Sequence, residues 1–437
     1  LSTRTIYAIL AGLLVCGLFA NAFSIERFPP PQFESGYERP AATAPSPRAG
    51  AWLIVDIFVL IAALGLSSYL VLKRRSRPAT FGLMLFSLAY FGFYRKGCVC
   101  SIGAIQDVTL SIFDTGYAIP LSTLIFFVAP LAATLFFGRT FCAAVCPFGA
   151  VQDLTLLRPV AVPPWLEHSL RYLAYIYLAL AAWLAATGSA FIICKYDPYV
   201  AIFRRNANMN ILILGGILLV IGIFVGRPYC RFLCPYGVIL RQISRLSKWR
   251  VQITPSTCNQ CKLCEDACPY GAIQPPVSSW PAATYARDKQ RLAGLLVLLP
   301  ILIALGAWMG HSLAPMASRA HTTVALAERV WMEETRKVAG TTDASQAFRS
   351  SGQSIASLYN KASTIQARFK KGGWFFGGFL GLVLGCKLIL LSLRPRQTDY
   401  EADRAGCLAC GRCYRYCPKE KEQKNGQLNA HHRISPS

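Results

Sequence analysis

The sequence predicts an all-α integral membrane bundle of about eight transmembrane helices, with a small cysteine-rich domain split into two pieces. Three observations lead there. Of 437 residues, 54% are hydrophobic and only 15% are charged, and the apolar residues fall in long runs. A basic run, "KRRSR" at 73–77, follows one of these stretches directly. Seventeen cysteines stand at recurring spacings, in a chain too large and too apolar to be a small secreted disulfide scaffold.

About 20 consecutive apolar residues cross a bilayer. The candidate spans are Ile6–Phe23, Ala51–Leu72, Thr80–Tyr94, Ala118–Phe137, Leu170–Ile193, Met209–Val225, Leu292–Gly310 and Trp374–Leu393. Thr80–Tyr94 is short and reads equally as a re-entrant half-helix. Ile6–Phe23, with Arg4 before it and "ANA" at 20–22, also matches a secretory signal and is read as a retained helix. The run at 73–77 fixes its end of the second span in the cytoplasm. Eight crossings then place both termini there. The net charge of +24 thus reads as membrane orientation, and no basic–aromatic module points to nucleic acid.

Five regions follow. Residues 1–50 hold the first span and a Pro-rich outer loop, and 51–250 a transmembrane domain with repeated cysteine segments. Residues 251–290 are a polar insert. Residues 291–393 hold two spans around an external helical hairpin at 312–372, with Thr342 or Asp343 as a helix cap. Residues 394–437 carry more cysteines and a polar tail.

The strongest motifs are "CNQCKLCEDACP" and "CLACGRCYRYCP". They set Cys258, Cys261, Cys264, Cys268 and Cys407, Cys410, Cys413, Cys417 at C-x2-C-x2-C-x3-C-P, the bacterial run for a [4Fe–4S] cluster. Zinc is open to any four cysteines, but two copies of this run weigh against it. In two-cluster ferredoxins the fourth cysteine serves the other cluster. Cys268 is therefore expected with Cys407, Cys410 and Cys413, and Cys417 with Cys258, Cys261 and Cys264. Two spans separate the runs, so both emerge on one face as the halves of a single bacterial-type two-cluster ferredoxin domain.

A second refrain lies at the helix ends. "GRTFCAAVCPFGAVQDLTL" (138–156) and "GRPYCRFLCPYGVILRQIS" (226–244) each hold a C-x3-C-P pair preceded by Gly-Arg. Cys142, Cys146, Cys230 and Cys234 would share a face and supply four thiolates to one further iron–sulfur or iron centre. Buried structural cysteine is the alternative. "YRKGCVCSIGAIQDVTL" (94–110) resembles the first of these but keeps Cys98 and Cys100 and lacks the proline. Cys98, Cys100 and Cys194 are expected on the outer face, either as another metal centre with its fourth ligand unidentified or as packed thiols.

With these residues in view, the chain resembles the membrane polyferredoxins of the NosR/NapH type over roughly 80–275 and 395–420. The resemblance implies a bacterial inner-membrane electron carrier linking the quinone pool, or another donor, to a redox partner within a complex. The chain has no flavin-attachment segment of the S-G-A-T kind, so a flavin would sit on a separate subunit, and 312–372 is not part of that pattern. The expected function is electron transfer, with quinol oxidation the only bond-making chemistry admitted. A redox-sensing regulator or a metalloenzyme assembly factor is the alternative. Cys16 and Cys386 read as packing residues. Asp56 reads as a proton or quinol contact or as a solvated carboxylate. Bis-His haem ligation is not expected, His311 with His321 being the sole outer candidate pair.

Overall fold

The computed structural model describes residues 50–97, 100–204, 209–253, 258, 260–276, 283–393 and 399–418. The span expected at 6–23, Cys16 and Cys98 lie outside them. Four helices are long and apolar enough to cross a membrane: Ala51–Leu72, Pro164–Ala186, Asp288–Ser318 and Ile355–Ser392. A fifth counts if Pro198–Arg204 and Met209–Phe224 form one span. The helical membrane bundle is therefore present, but the expected count of eight is not reached among the described residues. The reason is local. Leu121–Phe137, with Pro130 inside it, is 17 residues long, about 25 Å at 1.5 Å per residue, which is short of the ~30 Å hydrocarbon core. The stretch expected at 80–94 divides into the α-helix Arg77–Ser87 and a π-helical turn, Leu88–Tyr94.

Proline places many of the starts. Pro147, Pro228 and Pro235 each occupy the first turn of a helix, where a missing N–H costs nothing. Four short helices, Ala104–Phe113, Pro147–Thr155, Pro228–Phe232 and Pro235–Ser244, pack among the longer ones. One buried core joins the bundle to the cysteine-rich unit, running from Leu60 and Phe91 through Phe148 and Tyr229 to Tyr270 and Tyr414. The two halves of that unit are stitched by strands Ile273–Gln274 and Glu401–Ala402, antiparallel with Ile273 opposite Ala402.

The two long helices, Ala283–Ser318 and Ile355–Ser392, pair with backbones in contact. Gly373, Gly377, Gly381 and Gly385 recur every fourth residue and are buried against Gly306, Gly310 and their neighbours. A Cβ on Gly377 would overlap the carbonyl of Gly306. Small residues at this spacing let membrane helices close on one another. Beyond this contact the chain forms helices Thr322–Glu334 and Asp343–Ser350. They share a small core of Val324, Ala327, Val330, Phe348, Leu358 and Ala362. Thr342 caps the second of these, its hydroxyl accepting from the Ser345 N–H.

Asp56, the intramembrane carboxylate, is fully enclosed. It accepts from Tyr90 at 2.9 Å and pairs with Arg95 at 2.7 Å.

Gly377→Leu is expected to destabilise the detergent-solubilised chain by about 1–3 kcal/mol through overpacking. Gly294→Leu, where a side chain would meet nothing within 4 Å, should leave the unfolding temperature unchanged.

Candidate functional site

The Cys-Pro-aromatic-Gly refrain has a common local geometry. Cys146 and Cys234 are helix N-caps in extended conformation, and the following proline is the first helical residue. The glycine three residues on turns its N–H back to the sulfur: Gly237 N donates to Cys234 Sγ at 3.2 Å, and Gly149 does the same for Cys146. Gly103 donates to Cys100 Sγ at 3.2 Å in the proline-free copy. A helix N-terminus and a backbone N–H both favour a thiolate over a thiol.

Cys142, Cys146, Cys230 and Cys234 line one cavity with Arg139, Gly149, Tyr236 and Gly237. Gln152 Nε2 donates to Cys230 Sγ at 3.1 Å, and an Arg139 guanidinium N–H lies 3.8 Å from Cys142 Sγ. Each of the four sulfurs thus faces an N–H donor, as a set of thiolate ligands requires. Among the described residues no three Cys, His, Asp or Glu side chains close tightly enough to share a single metal ion. Tetrahedral zinc needs sulfurs about 3.8 Å apart at its ~2.3 Å bond length. A cubane spreads its thiolates over four irons and does not need that closeness.

The cysteine-rich unit holds a second basin, lined by Cys268, Cys407, Cys410 and Cys413 with Tyr270 and Arg412. This brings together the cysteines of different runs that the spacing paired. Burial pushes the Cys407 thiol up to about 12, although the Ala409 N–H opposes it. At neutral pH such a buried thiol loses its proton when a metal takes the proton's place. Cys258 and Cys261 lie in electrostatic range of Cys264. Cys417 ends helix Arg412–Tyr416, which packs on the helix Leu263–Asp266 that carries Cys264.

Asp153 joins the two basins. It is buried, on the helix that begins at Cys146, and every strong partner leads to a cysteine. Arg77 reaches it at 2.5 Å and also donates to the Cys410 carbonyl at 3.1 Å. Arg412, next to Cys413, lies at 3.1 Å, and the Tyr270 hydroxyl donates to it at 2.8 Å. Arg227, three residues before Cys230, lies at 3.5 Å and also holds the Cys142 carbonyl. Burial alone would push the carboxyl up, but Arg412, Arg227 and Arg77 hold it well below the usual carboxylate range. Both Gly-Arg pairs serve this junction. Gly226 lies where a Cβ would strike the Pro269 carbonyl, and Arg139 donates to the Ala405 carbonyl at 3.3 Å.

Cys100 and Cys194 both flank Gly103, in van der Waals range of its Cβ position. Cys98 is outside the described residues. Cys386 is exposed. His321 caps Thr322–Glu334, its Nδ1 accepting from Thr323 N at 3.2 Å, and His311 lies against Trp374. Sequence reasoning missed Asp153, Gln152, Arg227 and Tyr270. The signal was present in the Gln-Asp pair shared by "AVQDLTL" and "AIQDVTL". Gln106, the counterpart of Gln152, accepts from Ile193 N at 3.0 Å just before Cys194, as Gln152 accepts from Tyr229 N at 2.9 Å just before Cys230.

Two family models match the chain, both described as 4Fe-4S binding domains: one over 119–161 and 207–254, the other over 251–274. The first covers the C-x3-C-P segments and the second the first ferredoxin run. The chain carries 4Fe–4S binding domains in a helical membrane bundle. It is 28% identical over 121 residues to YccM of Escherichia coli, a protein named for electron transport. That match covers 26% of this chain and 34% of YccM. It is 30% identical over 243 residues to protein NirI of Paracoccus denitrificans, covering 51% of this chain and 35% of NirI. It is 29% identical over 189 residues to the uncharacterized protein MJ0750 of Methanocaldococcus jannaschii, covering 41% of this chain and 76% of that one. The chain thus matches about a third of the length of YccM and of NirI. No solved structure matches it.

Asp153→Asn leaves three guanidiniums around a neutral group and is expected to cost about 3–5 kcal/mol. Because the folded carboxyl is held below its unfolded value, its contribution is present above about pH 4 and is lost as the pH falls below that. Unfolding of wild type and variant should therefore differ by a constant amount from about pH 8 to about pH 5 and converge only in stronger acid.

Proposed function

We propose that the chain is a membrane polyferredoxin that carries single electrons between a ferredoxin unit on the cytoplasmic face of a bacterial inner membrane and a redox partner in or beyond the bilayer. In this reading Cys268, Cys407, Cys410 and Cys413 hold one [4Fe–4S] cluster, and Cys258, Cys261, Cys264 and Cys417 a second. Cys142, Cys146, Cys230 and Cys234 hold a third centre at the membrane edge. Such clusters supply reversible one-electron storage. The chain's residues fix their spacing, exclude water and aim N–H dipoles at the sulfurs, which tunes potential. Cys100 and Cys194, with Cys98, would form a station toward the other face. A quinol or a flavin-bearing subunit of the same complex is the electron donor or acceptor at either end.

The observation that carries this reading is the shared shell around Asp153. Residues beside the ferredoxin cysteines and beside the C-x3-C-P cysteines bind one carboxylate, so both basins belong to one rigid junction. A carrier needs that rigidity because electron hopping demands fixed, short separations. The curated relative named for electron transport is consistent with it.

Iron and sulfide analysis of the purified chain should give at least about twelve irons, four for each of these three clusters, before any metal at the Cys100 and Cys194 station. The double variant Cys142→Ser, Cys230→Ser should retain about eight. About eight irons in the wild type would remove the membrane-edge cluster from the pathway.

A further inference from the structure

A second concentration of buried charge lies on the face that carries the ferredoxin unit. There the first turns of Pro164–Ala186, the helix Pro235–Ser244 and the last turns of Ile355–Ser392 meet. Glu167 is its acid. It accepts from Arg231 through Nε at 3.1 Å and Nη2 at 2.8 Å, and it pairs with Arg171. Two more cations crowd in without an acid of their own. Lys387 donates to the His168 carbonyl and feels the charges of Arg171 and Arg241. Arg241 makes no ion pair among the described residues, and its Nε and that of Arg171 are buried with no hydrogen-bond partner. The next acid within range, Asp403, already accepts from the N–H groups of Ala405 and Gly406. Four cations therefore share one engaged carboxylate, an arrangement that is costly unless a further anion joins it.

We propose that Arg171, Arg241 and Lys387 bind a phosphate-bearing anion, held as the headgroup of an anionic phospholipid. Phosphate suits the site because guanidinium groups grip its oxygens in pairs and an ammonium adds a point charge. Depth argues for a lipid source. Lys387 stands five residues inside the helix end at Ser392, about 7.5 Å along the axis, which is headgroup depth and not open water. Leu384, one turn toward the middle of the helix, is 37% exposed and Leu382 is 40% exposed, and Trp165 is 71% exposed at the start of the facing helix. These are surfaces for acyl chains and an interfacial aromatic. Basic pockets between transmembrane helices hold lipid headgroups in this way. Plain snorkelling of long cations would leave the Nε groups in contact with water, and here they are enclosed.

The test is native mass spectrometry of the full chain, stripped of lipid in neutral detergent and then titrated with phosphatidylglycerol, phosphatidylcholine of equal chain length, or inorganic phosphate. The expected result is phosphatidylglycerol binding at least about tenfold tighter than phosphatidylcholine. Arg241→Gln with Lys387→Gln should abolish that preference while the iron content stays at the wild-type level. Arg368→Gln, about 28 Å away along the same helix, should retain it. Equal affinity for the two lipids in the wild type, or a preference that survives the double variant, would overturn the proposal. Displacement of phosphatidylglycerol by an equal concentration of inorganic phosphate would overturn the lipid assignment. Should the double variant fail to fold, the wild-type lipid comparison alone decides.

Discussion

A single buried carboxylate, Asp153, is the constraint on which the rest of the arrangement depends. A charge with no exposed surface is tolerated only when its partners are close and fixed, and three guanidiniums and a phenol meet that demand. Each partner comes from a different part of the chain: Arg77 from the start of a helix, Arg227 from before a C-x3-C-P pair, Tyr270 and Arg412 from the two halves of the ferredoxin unit. Satisfying one carboxylate thus sets the docking of a soluble-type cysteine unit on a membrane bundle. Arg227 adopts the left-handed conformation, φ 50°, to reach it, a strain that the ion pair and the carbonyls it holds offset.

The cysteine refrain works at a smaller scale by the same means. Cysteine as N-cap, proline as first helical residue and glycine three positions on together make a helix start whose polar end faces a sulfur. Such a start needs no long-range help, so it can be reused wherever a helix ends near a basin. The proline-free copy at Cys100 keeps the glycine contact. Asp197 opens helix Pro198–Arg204 in like manner, its carboxylate accepting from Tyr199 and Val200 N–H.

Much of this was legible in the sequence. The two ferredoxin runs and both C-x3-C-P pairs were visible from spacing alone, and the structure draws Cys268 toward Cys407, Cys410 and Cys413 as the spacing suggested. The number of full membrane crossings was not legible, because hydropathy measures how apolar a stretch is and not whether it breaks. The run ending at Tyr94 changes to a π-helical turn after Ser87, and Leu121–Phe137 stops short at Gly138, φ 72°. The Asp153 junction was hidden for a different reason. Its members are single Asp, Arg and Tyr residues dispersed from 77 to 412, each unremarkable in its own window. The glycine stripe from 373 to 385, by contrast, has a fixed period and could have been read directly.

The proposed function requires that the membrane-edge thiolates and the ferredoxin thiolates hold interacting paramagnetic centres across one rigid junction. EPR of the fully reduced protein tests it most directly. Three centres held this closely should give a spectrum broadened by spin–spin coupling, which simplifies to that of the ferredoxin pair when Cys146 and Cys234 are replaced by serine. A wild-type spectrum identical to that of the replaced protein would contradict it.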